Sequence, residues 1–345
     1  MEDEKLKALI FQKPHRMDWE EWPEPVAGPG EAVVETRAVG ICGSDLHGYT
    51  GESTRRIPGS PMGHEATGRV VALGAGVPAG WLGRRVAIFP MLPCRQCDQC
   101  LGGHIHRCRN RRFMGYNTTG AMAERLTLPV GNLYPLPETM SYIHGALAEP
   151  LAVAIHAVRL AGNLAGRTVL IAGGGPIGLL TLMAVRQQGA KAVALTVRTP
   201  ERRELARALG AAAAVDPTRE GWRREVAGGL GAAEAEVAFD AAGIQPTFDQ
   251  CLETVAPGGT VVEIGSWSPL QLNLSKLTPR EINVVGSFNY TADEFGEAAG
   301  WLAAGRVDPT PLVSAVRPLA EGAAAFAELA QHPSRYLRII LTPGA

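Results

Sequence analysis

Cys94, Cys97, Cys100 and Cys108 fall inside one stretch, PCRQCDQCLGGHIHRC. Two-residue gaps between cysteines let several thiolates converge on one tetrahedral ion, with Zn–S near ~2.3 Å. Four sulfurs leave no open coordination position, so such a zinc would staple a loop and take no part in the chemistry. His104 and His106 lie between the last two cysteines and offer an alternative ligand. A second set mixes its donors: Cys42 in VGICGSDLHGY, His64 and Glu65 in PMGHEATG, and Glu149 in LAEPLAVAIH. A lone buried cysteine is commonly a small hydrophobe. A Cys/His/Glu set, however, makes a zinc site with a position left open for substrate. Cys251, in FDQCLETVAPGG, has no such partner and reads as core filler.

A third feature handles phosphate. Gly173–Gly174–Gly175–Pro176–Ile177–Gly178 matches GxGxxG between the apolar run TVLIA and the helical IGLLTLMAV. Gly173 permits the sharp turn, Gly175 lets the backbone approach a pyrophosphate, and Gly178 allows close helix–strand packing. Amides at that helix start then hold the phosphates.

The elements that must carry these residues change texture along the chain. Before about residue 150, short runs such as EAVVETRAV and GRVVAL alternate with Gly/Pro turns, as in a compact barrel-like domain of short strands. From Arg167, strand-like TVLIA, AVALTV, AEVAFD, GTVVEIG and INVVGSF alternate with helix-like segments, among them PERRELARALG and QPTFDQCLETV. Repeated β–α units predict a parallel, doubly wound sheet. Helix-like DEFGEAAGWLAAG and AEGAAAFAELAQ and a terminal strand, LRIILTP, close the chain. The fold class is therefore α/β, with a β-rich domain over 1–150, a dinucleotide-binding domain over 151–286 and a C-terminal segment over 287–345.

Composition narrows the function. The 345 residues carry 33 basic against 34 acidic side chains, for a net charge of -1. That balance argues against duplex DNA or an anionic membrane as a mainly electrostatic partner. The start, MEDEKLK, lacks a secretory h-region, and the apolar stretch around Val169–Val185 is broken by GGGP. A cytoplasmic protein is the expectation, and a reducing compartment makes disulfides a poor reading of the cysteines. RCRNRR is locally basic, so a zinc-ribbon nucleic-acid binder is the rival; no aromatic interleaving accompanies it.

Taken in order, GICGSDLH, GHE, the four-cysteine loop, EPLAVAIHAV and GGGPIG resemble the zinc-dependent medium-chain dehydrogenase/reductases. Within them the chain looks closest to the polyol branch that includes sorbitol and threonine dehydrogenases. The resemblance covers essentially the whole chain. It implies a GroES-like catalytic domain, an inserted Rossmann domain and two zinc ions. The implied reaction is reversible NAD(P)-dependent oxidation of an alcohol by a homodimer or homotetramer.

Carried over residue by residue, Cys42, His64 and Glu65 match catalytic zinc ligands, and Glu149 matches a glutamate that ligates the metal or holds its water. Ser44 and His47 match the relay that passes the alcohol proton toward solvent. The resemblance also assigns Gly265, Ser287, Phe288 and Asn289 to the cofactor site; Asn289 stands where the branch often has arginine. The second Rossmann strand ends in Val197, followed by Arg198, where NAD-specific folds carry an acid for the ribose hydroxyl. That exchange, with Arg198, Arg202 and Arg203 as cationic partners and Thr199 beside them in the cofactor site, predicts NADP over NAD; the alternative has Arg198 in solvent and Thr199 capping the PERRELARAL helix. The expected substrate is a small polyol or sugar alcohol, with a phosphorylated one as an option through Arg55 or Arg56. Threonine and simple alcohols are the alternatives.

Overall fold

A computed structural model describes residues 6–265 and 269–343; the charged start falls mostly outside them. The chain divides into two compact units. One gathers the chain up to Glu149 together with the stretch from Thr291 onward, and the other is Pro150–Tyr290.

In the first unit the strand Glu31–Gly40 buries Ala32–Val34, Thr36 and Ala38–Gly40, while Glu31, Glu35 and Arg37 reach toward solvent. It pairs antiparallel with Glu65–Leu73, Arg125–Pro129 and Arg338–Thr342 in a seven-stranded sheet. Leu9, Met62, Ile88, Met122, Phe326 and Leu341 fill the core beneath it. The last stretch of chain returns to this sheet through Val313–Pro318 and Arg338–Thr342. Gly40 faces Glu65 on one side and Ile340 on the other, so three strands converge at one end. A Cβ on Gly40 would lie 2.3 Å from a Glu65 carboxylate oxygen, so only glycine fits there.

The second unit is a six-stranded, all-parallel sheet. Its spatial order is Ala213–Val215, Ala192–Thr196, Thr168–Ala172, Ala235–Asp240, Val255–Glu263 and Asn283–Gly286. Numbered within the unit this is 3-2-1-4-5-6, the Rossmann order, whose ligand crevice opens where the first and fourth strands part. The glycine turn leaves the first of those strands, and Ala241–Gly243 leaves the fourth. Among the described residues, no helix is long and apolar enough to cross a membrane.

Candidate metal centres and cofactor cradle

The helix Gly43–Thr50 begins at Cys42, whose backbone N–H donates to Asp45 Oδ2 at 3.2 Å. Ser44 and His47 are three apart and share a helix face. Ser44 is buried, whereas His47 is half-exposed with Nδ1 2.5 Å from Glu52 Oε2. The sheet brings His64 and Glu65 to the same helix end. Cys42, His64 and Glu65 each offer one donor atom, and these lie within 4.8 Å of one another.

Electrostatics suit a divalent ion. Burial pushes the Cys42 thiol up, but the charge and hydrogen bond of His64 outweigh it and hold the thiol below its ordinary value. Asp45, fully buried, is likewise held low by His64 and Arg56 against the cost of burial. Its Oδ1 lies 3.6 Å from His64 Nδ1, an ion-pair contact just beyond hydrogen-bond length. Arg338, on the strand beyond Glu31–Gly40, donates to Glu65 Oε2, while Oε1 is buried without a partner. Cys42, Asp45, Glu65 and Glu149 crowd acidic groups around His64, Arg56 and Arg338. A divalent cation can take the place of the His64 proton there, and the orphaned Glu65 oxygen gives it a ligand. The residues fit zinc with an open position.

Glu149 is buried in the first turn of Ala148–Leu160 and bears electrostatically on Cys42. It is not one of the three donors that converge within 4.8 Å.

Cys94, Cys97, Cys100 and Cys108 converge in the same way, with both Cys94–Cys100 and Cys97–Cys108 sulfur pairs 4.0 Å apart. Sulfurs around one tetrahedral zinc stand roughly 3.8 Å apart, which follows from the Zn–S length. Backbone N–H groups of Arg109 and Cys100 hold the Cys97 thiol down at about 6. His104 and His106 are outside this group of four.

In the second unit, Gly173 takes φ +107°, which disfavours any side chain. A Cβ on Gly178 would lie 1.9 Å from the Gly173 carbonyl oxygen, so helix and turn touch there. Gly175 is the N-cap of Pro176–Gln187, with nothing within 4 Å of a Cβ placed on it. An open N-cap over free amides fits a pyrophosphate. Val197 is buried and packs against Gly174; Arg198 is exposed.

An expectation and an alternative at this edge need correcting. Arg203 is committed to the carbonyls of Val197 and Arg198 and to Asp216, so it shapes the turn and is not free for a ligand. Thr199 occupies the N-cap of Pro200–Ala208, but its side chain makes no capping bond. Arg202 is half-buried, and burial lowers its pKa. Gly265 packs against Gly243, Ser287 donates its backbone N–H to Glu263, Phe288 is exposed, and Asn289 adopts φ 53°.

Asp240 and Glu263 face each other in register on adjacent strands. Asp240 Oδ1 accepts from the Ala242 and Gly243 amides, and burial beside this partner pushes Glu263 up to about 9. Glu263 thus keeps a proton in the folded state that it loses in the unfolded state above ~4.3. Its protonated form favours folding, and that contribution is lost as pH rises from the unfolded value to about 9. Glu263→Gln, neutral throughout, should gain about 1–2 kcal/mol over the native chain at pH ~8, after discounting for partial exposure. The gain should vanish near pH ~4. Denaturant titrations at the two pH values check this.

A zinc-binding dehydrogenase family model matches residues 176–304, and an alcohol dehydrogenase GroES-like domain model matches residues 28–138. D-xylulose reductase A of Aspergillus niger is 31% identical over 93% of this chain and 93% of that protein. The 2-dehydro-3-deoxy-L-galactonate 5-dehydrogenase of Pseudoalteromonas atlantica is 33% identical over 88% and 89%. A zinc-binding dehydrogenase from Sinorhizobium meliloti bound to NADP superposes with TM-score 0.93 at 32% identity, covering 99% of this chain and all of that one. L-Idonate 5-dehydrogenase of Escherichia coli gives TM-score 0.88 at 28% identity, over 98% of each chain. The chain belongs to the zinc-dependent medium-chain dehydrogenase/reductases, in their polyol branch. It is an oxidoreductase of that family.

Sequence reading found Cys42, His64 and Glu65, and missed Asp45, Arg338 and the Glu263–Asp240 pair. Arg338 did leave a signal: an arginine heading the apolar strand Arg338–Thr342 needs a buried acid.

Proposed function

We propose that this enzyme oxidises a secondary hydroxyl of a small polyol or sugar acid, and reduces the matching ketone, with NADP preferred over NAD. The observation that carries the reading is the Cys42–His64–Glu65 cluster with its buried, unpartnered carboxylate oxygen. Relatives acting on xylulose, galactonate and idonate support the substrate class. When bound, zinc supplies a Lewis acid that lets an alcohol give up its proton near neutral pH, and the nicotinamide supplies the hydride acceptor.

The chain's own residues do the rest. Cys42, His64 and Glu65 hold the metal, Asp45 pairs with His64, and Arg338 steadies Glu65. Buried Ser44 takes the proton and half-exposed His47, beside Glu52, passes it toward water. The turn Gly173–Gly178 and the start of Pro176–Gln187 hold the pyrophosphate. The four-cysteine loop carries a structural zinc.

Val197 and exposed Arg198 support the cofactor preference. An acid there would repel a 2′-phosphate, whereas a guanidinium can pair with it through a planar fork. Val197→Asp with Arg198→Leu should shift kcat/KM toward NAD by roughly ten- to hundred-fold, the worth of one charge-assisted bond. Kinetics with both cofactors on one substrate check it. Association into a homodimer or homotetramer is part of the proposal. The edge strand Asn283–Gly286 has no outer partner among the described residues and exposes Val284, which supports pairing between copies.

The test is a spectrophotometric screen of polyols, sugar acids, sugar phosphates, threonine and simple alcohols with each cofactor. Turnover fastest on a polyol or sugar acid is the expected result. Ethanol or threonine turning over faster than every polyhydroxy compound overturns it.

A further inference from the structure

Arg56 is a buried cation that the zinc chemistry does not call for. Its guanidinium carbon lies over the Tyr116 ring, 3.4 Å from its centre, in a cation–π contact. From there Nη2 donates to Asp45 Oδ1 at 2.9 Å and to Ser44 Oγ at 3.1 Å. Its side chain is 1% exposed and Asp45 is fully buried, so solvent cannot compete for either bond. Its stem lies against the helix: a Cβ on Gly48 would meet Arg56 Cγ at 2.4 Å.

The consequence falls on the Ser44 hydroxyl. A hydroxyl has one hydrogen and two acceptor lone pairs, and a guanidinium can only donate. Ser44 Oγ must therefore accept from Arg56, which occupies one lone pair and keeps the hydroxyl hydrogen from pointing that way. One acceptor site and one donor remain, on the other sides of the oxygen.

We infer that Arg56 is a positioning residue that fixes which side of the Ser44 hydroxyl accepts a proton and which side donates one. The remaining lone pair receives the proton of the substrate hydroxyl as Ser44's own proton leaves on the donor side, so the serine gains and loses one proton in each turnover. Reduction runs the same exchange backwards. The inference rests on the proposed relay role of Ser44, and the variants below separate the two claims.

Arg56→Lys keeps the cation on Asp45 but not the fixed fork. With zinc content unchanged, it should lower kcat roughly ten- to hundred-fold, the worth of one hydrogen bond to a charged group. KM for the nicotinamide cofactor should stay put. A crystal structure of this variant should find Ser44 in more than one rotamer. Ser44→Ala should cost at least as much, and adding Arg56→Lys to it should cost little further, because Arg56 acts through the serine.

If Arg56→Lys does not fold, Arg56→Gln keeps an amide donor beside Asp45 without the guanidinium fork, and the same kcat loss and the same masking by Ser44→Ala are expected. A fully active Arg56 variant overturns the inference, as does an undiminished Arg56 effect in the Ser44→Ala background. A fully active Ser44→Ala enzyme instead overturns the relay role of Ser44, and the inference falls with it.

Discussion

Cys42→Ala is expected to leave one zinc ion per chain where the native enzyme holds two, and to lower kcat/KM roughly 10³- to 10⁵-fold, the range that several kcal/mol of Lewis-acid stabilisation implies. The cysteine is the sulfur donor of the three that converge and the only thiol near them, since the other cysteines lie in the four-cysteine group or, like Cys251, buried in the second unit's core. Alanine leaves His64 and Glu65, too few to hold zinc tightly. Metal analysis by mass spectrometry with steady-state kinetics reads both effects. A variant that holds two zinc ions and turns over normally would remove the catalytic assignment. Cys97→Ala makes the contrast: it should lower stability before activity, because a closed site acts through folding.

Arg338→Met should be the most destabilising single change in the first unit. The Arg338 and Glu65 side chains are 3% and 1% exposed, and they pair across the intervening strand Glu31–Gly40. Removing one partner of a buried ion pair leaves the other uncompensated, at a cost of about 3–5 kcal/mol. Here the cost is compounded because Cys42 and Asp45 are close by and also negative. Adding Glu65→Gln should recover most of the stability, since the stranded charge is gone, yet zinc should not return to the open site. Thermal unfolding and metal content of the two variants separate these effects. Equal instability of the single and double variants would show that packing, not charge, dominates at this position.

Much of this could be read from the residues because the chemistry is local in sequence. The four cysteines lie within one loop, and the glycine turn sits between its strand and helix. GHE places two donors side by side, and the five runs from TVLIA to INVVGSF are five strands of the six-stranded sheet, whose short sixth strand Ala213–Val215 lies in an alanine-rich stretch without a strand pattern. The supporting groups were hidden because they are distant in sequence. Arg338 reaches Glu65 from 273 residues away, through a register that only the folded sheet defines. Arg56 stood out as a cation, but its partners Ser44 and Asp45 belong to a helix whose facing side depends on Tyr116 and Gly48. Glu263 looks like an ordinary polar residue in GTVVEIG until Asp240 appears opposite it. The Rossmann edge shows the same limit: Arg198, Arg202 and Arg203 are alike in sequence, and only the fold spends Arg203 on carbonyl oxygens.

Anomalous diffraction at the zinc edge from the zinc-loaded enzyme is the most direct test of the central claim. The account predicts two peaks per chain. One lies among the sulfurs of Cys94, Cys97, Cys100 and Cys108; the other lies within bonding distance of Cys42 Sγ, a His64 ring nitrogen and a Glu65 oxygen, with a fourth position open to solvent or substrate. A single peak at the four cysteines, or a second peak that does not touch Cys42 and His64, would contradict it.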